Sequence, residues 1–496
     1  MMYVSTRGGT KAADGLQSAD AIKQGLASDG GLFMPETIPT LTLDEIDAMS
    51  RMSYPERAAE ILSKFLTEYD KNELLGYCRA AYAPERFPGG AAPLHSLDDK
   101  THVLELWHGP TCAFKDMALQ IMPKLLSGAL KLTGEDKTAF ILVATSGDTG
   151  KAALEGYRDV PQVKIMVYYP VDGVSRMQKL QMATQEGENV RVCAIRGNFD
   201  DAQTGVKKIF SDPAAAAALK EEGCFFSSAN SINWGRLVPQ IAYYVSAYCD
   251  LLAAGKLKLG EEVNFSVPTG NFGNIFAGYL AKRMGLPVRR FLCASNRNNI
   301  LTDFLATGVY DRNRTFYTTM SPSMDILISS NLERLLYTKM GCEATAACMK
   351  ALSADGRYEI PASVKESIAE DFSGYFCDEE HTAETIRSTF ADYGYLIDPH
   401  TAVGVSAVGQ YRAETGDDTP VIIDSTASPY KFASNVCRSL TGSAPTDEFE
   451  ALEQLSAYTK TEIPAPLAAL RSKPVRFDRV IDPADMPAET LNAAKA

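Results

Sequence analysis

A membrane span needs roughly 18 consecutive apolar residues, and no run in this 496-residue chain approaches that length. The chain opens Met-Met-Tyr-Val-Ser-Thr-Arg, without the apolar core of a secretory signal. Both absences point to a cytoplasmic protein with no membrane partner. Positive charge is also in deficit: 49 lysines and arginines face 62 aspartates and glutamates, a formal net charge of -13. Such a surface repels nucleic acid and anionic lipid, so an anionic ligand has to be caught by a local cluster of donors. Histidine is scarce, with five in the chain, and the ten cysteines include no C-x-x-C pair. No zinc signature results, no metal is expected, and the thiols read as free and buried in a reducing compartment.

What is present is enough apolar material, 45% of residues, to fill two or three cores. Residues 1–95 read as a helical N-terminal region, with helices expected over 12–27, 42–48, 54–66 and 71–81 and a Pro-Gly-Gly link at 88–90. From residue 96 the pattern changes to short apolar runs followed by glycine-bearing turns and amphipathic stretches. Strands are expected at 139–144, 163–169, 190–195, 263–267, 290–294 and 421–424. This alternation specifies an α/β fold with a parallel sheet covered on both faces. The α/β core is expected to comprise 96–295 and 391–450, interrupted by a mostly helical insertion at 296–390 and followed by an extension at 451–496.

Several turns carry chemistry-bearing residues. In W-H-G-P-T-C-A-F-K (107–115) a Gly-Pro turn precedes Lys115, and helix formers resume directly after it. A helix start, with Ala113 and Phe114 alongside, disfavours the ammonium and moves Lys115 toward the nucleophilic amine that Schiff-base chemistry needs. Pro268-Thr269-Gly270-Asn271-Phe272-Gly273-Asn274 lies between a strand and a helix, where converging amides suit an anion; a tight turn that merely requires glycine has the same pattern. Ala144 to Lys151, A-T-S-G-D-T-G-K, imitates a nucleotide P-loop but has Thr145 in place of its first glycine and Ala152 after the lysine. Its hydroxyls and amides suit a small carboxylate, and Asp148 also serves as a helix N-cap candidate. Ser227 to Arg236 gathers Asn230, Ser231, Asn233 and Arg236, and arginine matches phosphate bidentately. His108 and His400 read as structural histidines.

W-H-G-P-T-C-A-F-K-D resembles the pyridoxal-phosphate lysine segment of threonine synthases. Further motifs recur in the order of that family: Y-V-S-T-R-G (3–8), S-D-G-G-L-F-M-P-E (28–36), A-T-S-G-D-T-G (144–150), S-S-A-N-S-I-N-W-G-R (227–236), P-T-G-N-F-G-N (268–274), S-P-S-M-D-I-L (321–327) and S-T-A-S-P-Y-K-F (425–432). The resemblance implies the pyridoxal-phosphate fold type II, with two parallel-sheet α/β domains, and pyridoxal 5'-phosphate as cofactor. It implies that Lys115 is catalytic and binds the cofactor. Phe114, Asp148, Gly270, Asn271, Phe272, Gly273, Asn274 and Thr426 would also contact the cofactor, the Thr426 hydroxyl facing the pyridine nitrogen. Ser146 and Thr149 would grip the substrate carboxylate, and Asn230, Ser231, Asn233 and Arg236 its phosphate. The implied substrate is O-phospho-L-homoserine: Lys115 moves the protons, phosphate leaves from Cγ and water adds at Cβ to give threonine. Where many members have histidine before the proline of the last motif, this chain has Ser428. The expected assembly is a monomer or homodimer. Rival readings are a serine or threonine dehydratase, a cysteate synthase, and a non-catalytic binder of phosphorylated metabolites.

Overall fold

A run such as Ala-Phe-Ile-Leu-Val-Ala has no polar face, so it settles only in a sheet covered on both sides. In the computed structural model, which describes residues 1–145, 147–172 and 174–495, two such sheets form. The smaller has the order Val480–Ile481, Val190–Ile195, Val163–Pro170, Thr138–Ala144, Cys224–Ser227, all parallel. The larger has the order Phe372–Phe376, Val288–Ser295, Val263–Pro268, Val421–Ser425, Thr101–Glu105, Leu94–Ser96 and is parallel except for its last, antiparallel pair. In the central strand Ile423 stands opposite Val103 on one side and Ser266 on the other. The chain is therefore α/β, with two parallel sheets.

Several short strands lie in segments expected to be helical or irregular, among them Tyr3–Ser5 and Leu94–Ser96 in the N-terminal region and the antiparallel pair Val309–Asp311 and Arg357–Glu359 in the insertion. Residues 372–376 are the edge of the larger sheet, and 480–481 return the C-terminal segment to the smaller one. Edge strands are short and half-covered, so they lack the long apolar run that marks a central strand. Between 296 and 390 the helices are Ile300–Thr307, Leu332–Asp355, Ala362–Ala369 and Glu379–Tyr393.

The N-terminal helices form where capping chemistry allows. In Tyr54–Phe65 the Glu56 carboxylate accepts from the Ser53 amide at 2.9 Å, and Pro55 sits in the first turn. Ala58, Ile61, Leu62 and Phe65 repeat at helical spacing and are buried, packing on helix Ile241–Ala253, which is apolar almost all round. Truncating Leu62 to alanine there would cost about 2–5 kcal/mol. The expected helix 12–27 is divided: Gly15, at φ +72°, ends a single turn at Ala12–Asp14, and Ser18–Gln24 follows.

Strand Tyr3–Ser5 pairs with Phe33–Pro35, and the residues after it reach across the molecule. Thr6 Oγ1 donates to Glu333 at 2.6 Å, and Arg7 makes a two-pronged contact with the same carboxylate at 2.9 and 2.8 Å. Next to Glu333, buried Arg334 donates to the carbonyls of Phe33 and Ile232 and to the side chain of Asn331. The opening motif is thus tied to helix Leu332–Asp355, whose Arg334 also binds the Ile232 carbonyl. Among the described residues no helix is long and apolar enough to cross a membrane.

Candidate active site

Five loops leave the C-terminal ends of parallel strands and converge on one cleft of about 830 Å³, the place where open α/β sheets bind ligands. They follow strands 101–105, 138–144, 224–227, 263–268 and 421–425. Phe114, Lys115, Thr149, Asn230, Ser231, Arg236, Gly270 through Asn274 and Thr426 all line the cleft. Ser146 lies outside the described residues.

Lys115 stands immediately before the short helix Asp116–Leu119. Its loop is bound to the loop bearing Thr426: the Phe114 amide donates to the Thr426 carbonyl at 2.8 Å, and the Ser428 amide to Cys112 at 3.1 Å. Cys112 takes φ +58° in this turn. Gly109 has no alternative, because a Cβ there would lie 2.5 Å from Asp116 Oδ2. Asp116 in turn accepts from the Thr111 amide and hydroxyl, both at 2.8 Å.

Burial lowers the Lys115 amine to about 8; the charges of Arg236 and Lys431 act in the same direction, against Asp148 and Asp116. The depression expected from a helix end thus has another cause, since that helix has four residues. The Phe114 ring, 4.7 Å from Nζ, favours the charged form instead.

Asp148 is buried behind the lining, at the start of helix Asp148–Tyr157. Its Oδ2 lies 4.0 Å from Lys115 Nζ and its Oδ1 2.6 Å from Lys431 Nζ. Gln178 donates to Oδ1 at 3.0 Å and Ser323 to Oδ2 at 3.3 Å. Burial acts to raise this carboxyl, but Lys431 and then Lys115 hold it well below the usual carboxylate range.

The 270–274 loop leaves no room for a side chain at Gly270 and little at Gly273. A Cβ on Gly270 would lie 2.7 Å from the Ser323 carbonyl oxygen, and one on Gly273 would lie 3.2 Å from Asn331 Nδ2. Phe272 adopts the left-handed φ of +60°, which costs a non-glycine residue about 1–3 kcal/mol and is characteristic of ligand sites. Its ring points into the core, 5.7 Å from Phe372. Helix Gly273–Met284 starts here and directs free amides outward. Underneath, the Tyr244 hydroxyl lies 2.7 Å from Asn274 Oδ1 and 2.9 Å from Asp424 Oδ2. Burial pushes the Asp424 carboxyl up to about 7, against its bonds to Tyr244 and Asn274.

Asn230, Ser231 and Arg236 face the cleft, but Asn233 does not. Asn233 Nδ2 donates to Ile22 and Ser228 carbonyls at 3.0 and 2.9 Å, and Oδ1 accepts from the Gly235 amide at 2.8 Å. With both amide hydrogens used, Asn233 caps helix Trp234–Leu237 and holds the loop; the substrate contact expected of it is corrected accordingly. Arg236 is buried, donates through one nitrogen to the Ala229 carbonyl at 3.0 Å, and leaves Nε unpartnered. No carboxylate pairs with it among the described residues. Burial lowers even this guanidinium to about 10.

Three family profiles match the chain: Threonine synthase N terminus over residues 2–82, Pyridoxal-phosphate dependent enzyme over 90–425, and Threonine synthase, C-terminal over 401–488. The threonine synthase of Pseudomonas aeruginosa is 41% identical, over 90% of this chain and 92% of its own length. The chain belongs to the threonine synthase family. Human threonine synthase-like 1 is 40% identical across 85% of this chain, which spans 58% of that longer protein. The crystal structure of pyridoxal-phosphate-bound threonine synthase from Brucella melitensis superposes with a TM-score of 0.87 at 37% identity, covering 100% of both chains.

The cofactor of the threonine synthase family is pyridoxal phosphate, and the residues here fit it. A lysine with a depressed pKa, a loop that excludes a Cβ at Gly270 and crowds one at Gly273 where a helix starts, and a hydroxyl at the end of strand 421–425 are assembled around one cleft. Among the described residues no group of acidic, cysteine and histidine side chains could hold a metal. Ser428, where the resemblance leads one to expect histidine, caps the turn Pro429–Phe432 by accepting from the Tyr430 amide. His108 contacts Glu105 at 2.6 Å, while His400 lies 2.6 Å from Asp398 and accepts from the Ser323 amide at 3.2 Å.

Nothing local in the sequence singles out Lys431, Ser323 or Gln178. Ser323 and Lys431 lie within the family-like segments 321–327 and 425–432, whereas Gln178 lies in none of them.

Proposed function

We propose that the chain is a threonine synthase in activity, converting O-phospho-L-homoserine and water to L-threonine and phosphate. The observation that carries this is Arg236, a buried guanidinium at the cleft without a carboxylate partner among the described residues. A buried charge left unpaired is costly, and a phosphate ester supplies the missing anion with matching two-pronged geometry. Asn230 and Ser231 stand beside it as further donors. Thr149, together with Ser146, is assigned to the substrate carboxylate, which lies at the other end of a short amino acid.

The loop 270–274 would hold the cofactor phosphate, and Thr426 would face the ring nitrogen, with Phe114 beside the ring and Asp148 behind the lining, next to Lys115. When bound, pyridoxal phosphate supplies an electron sink for the charge left by breaking a Cα–H bond. Lys115 carries the protons. With a pKa of about 8, roughly one amine in four is neutral near pH 7.5, against about one in a thousand for an ordinary lysine. Its place between the two loops lets one Nζ serve Cα and then the neighbouring carbons in turn. A dehydratase acting on free serine or threonine has no use for Arg236. We further read the protein as cytoplasmic, a reading supported by its ten free cysteines, and as a monomer or homodimer.

The test is to supply purified protein and cofactor with O-phospho-L-homoserine and measure threonine and phosphate together. Equimolar release supports the assignment. Turnover of O-phospho-L-serine or free serine in preference to it contradicts the assignment.

A further inference from the structure

Lys431 has no exposed side-chain surface, in the turn that follows Thr426. Burying an ammonium costs several kcal/mol unless it is paired and hydrogen-bonded, and here both conditions are met. Nζ lies 2.6 Å from Asp148 Oδ1 and donates to the Thr111 carbonyl at 3.1 Å. The other oxygen of that carboxylate is 4.0 Å from Lys115 Nζ. Two lysines thus approach one carboxylate, and the nearer takes most of its field.

We infer that Lys431 is a positioning residue: it holds the Asp148 carboxylate at 2.6 Å, leaves Lys115 only the longer 4.0 Å approach to it, and so favours the neutral form of the Lys115 amine. This rests on the reading of Lys115 as the reactive amine. The other charged groups around the trio do not supply the missing partner. Asp116 is turned to Thr111. Arg236 is a cation and repels the ammonium of Lys115. Lys151 pairs with Glu155 at 3.2 Å, and the Cys112 thiol beside Lys431 is pushed up to about 12 by burial and is neutral. Gln178 and Ser323 steady Asp148 without changing its charge.

Neutralising Lys431 acts on Lys115 twice in the same direction. It removes a like charge, and it frees a carboxylate 4.0 Å away to pair with the Lys115 ammonium. Removing Asp148 alone acts oppositely, because the repelling Lys431 remains. Removing both leaves Lys115 near its starting point.

The full-length chain freed of cofactor, with folding checked by circular dichroism, is labelled with trace acetic anhydride across pH 6 to 11. Mass spectrometry then follows the peptide carrying Lys115. The parent is expected to label with a midpoint near 8. Lys431→Met should raise the midpoint by at least about one unit, slowing labelling at pH 7.5 roughly tenfold; Lys431→Arg should leave it in place. Asp148→Asn should lower it, and the double variant Lys431→Met/Asp148→Asn should return to within about half a unit of the parent. A midpoint unmoved or lowered in Lys431→Met overturns the inference, and should that variant not fold, an unmoved midpoint in Asp148→Asn does the same. A parent midpoint of an ordinary lysine would instead reject the reading of Lys115 itself, and the two failures are thereby separated.

Discussion

The amide of Phe114 donates to the carbonyl of Thr426 at 2.8 Å. Through this bond the loop that carries Lys115, leaving strand 101–105, is fixed to the loop that carries Thr426, leaving the adjacent strand 421–425. Lys115, proposed to carry the protons, and Thr426, proposed to face the ring nitrogen, are held in register by sheet pairing.

Lys115→Ala should abolish threonine formation while the protein stays folded, since the side chain makes no hydrogen bond on which the fold depends. A steady-state assay together with a melting curve checks both parts. A rate within about tenfold of the parent, a loss of only about 1.4 kcal/mol, would show that another group moves the protons.

Gly273→Val should weaken pyridoxal phosphate binding by at least about tenfold with little loss of melting temperature in the cofactor-free protein. Gly273 is outside the left-handed region, so valine acts through crowding: its Cβ would stand 3.2 Å from Asn331 Nδ2 and 3.7 Å from Ser231 Cβ. Cofactor titration by absorbance reads the effect, and unchanged affinity would reject the cradle.

Asn233→Ala should destabilise the protein by about 1 kcal/mol, the usual cost of a lost N-cap, and weaken phosphorylated and unphosphorylated ligands alike. A selective loss of the phosphorylated ligand would restore Asn233 as a direct phosphate contact.

Asp424 makes stability depend on pH. Its folded pKa, raised to about 7 by burial, exceeds its unfolded value near 4, so the native state binds the extra proton between the two. Stability from this group therefore falls as pH rises from about 4 to 7, by up to about 1.4 kcal/mol per unit, and is flat above. Asp424→Asn, whose amide oxygen can still accept from Tyr244, should remove that slope; its stability relative to the parent should rise between pH 5 and 7 in chemical denaturation. A relative stability that does not change with pH would mean that Asp424 is ionised in the native protein throughout.

The central strands were legible because parallel strands buried on both faces are continuous apolar runs: Val190–Ile195 falls where expected. Lys71–Ala81 was equally readable, since Asp70 accepts from the amides of Asn72 and Glu73 and marks the helix start. Strand Phe372–Phe376 was not, because its alternate residues are only half-buried at the sheet edge. The glycine loops and the reactive lysine could be recognised locally. Lys431 could not: its significance comes from Asp148, far away in sequence and supplied by the other sheet. For Asn233 the residue type was right for a phosphate contact, yet its hydrogens are spent on Ile22 and Ser228, a fact that depends on where the N-terminal helix packs.

The account depends most on Arg236 as the phosphate grip, and the direct measurement is to titrate Arg236→Ala with O-phospho-L-homoserine and with L-serine, following the cofactor's absorbance. Losing a charge-assisted two-pronged contact is worth about 2–4 kcal/mol, or roughly 30-fold to 1,000-fold in affinity or kcat/KM for the phosphorylated substrate. Arg236→Lys should recover part of this, keeping the charge without the planar fork. Serine binding should be unchanged, because the carboxylate is held elsewhere; equal weakening of both ligands would contradict the assignment of Arg236 to the substrate phosphate.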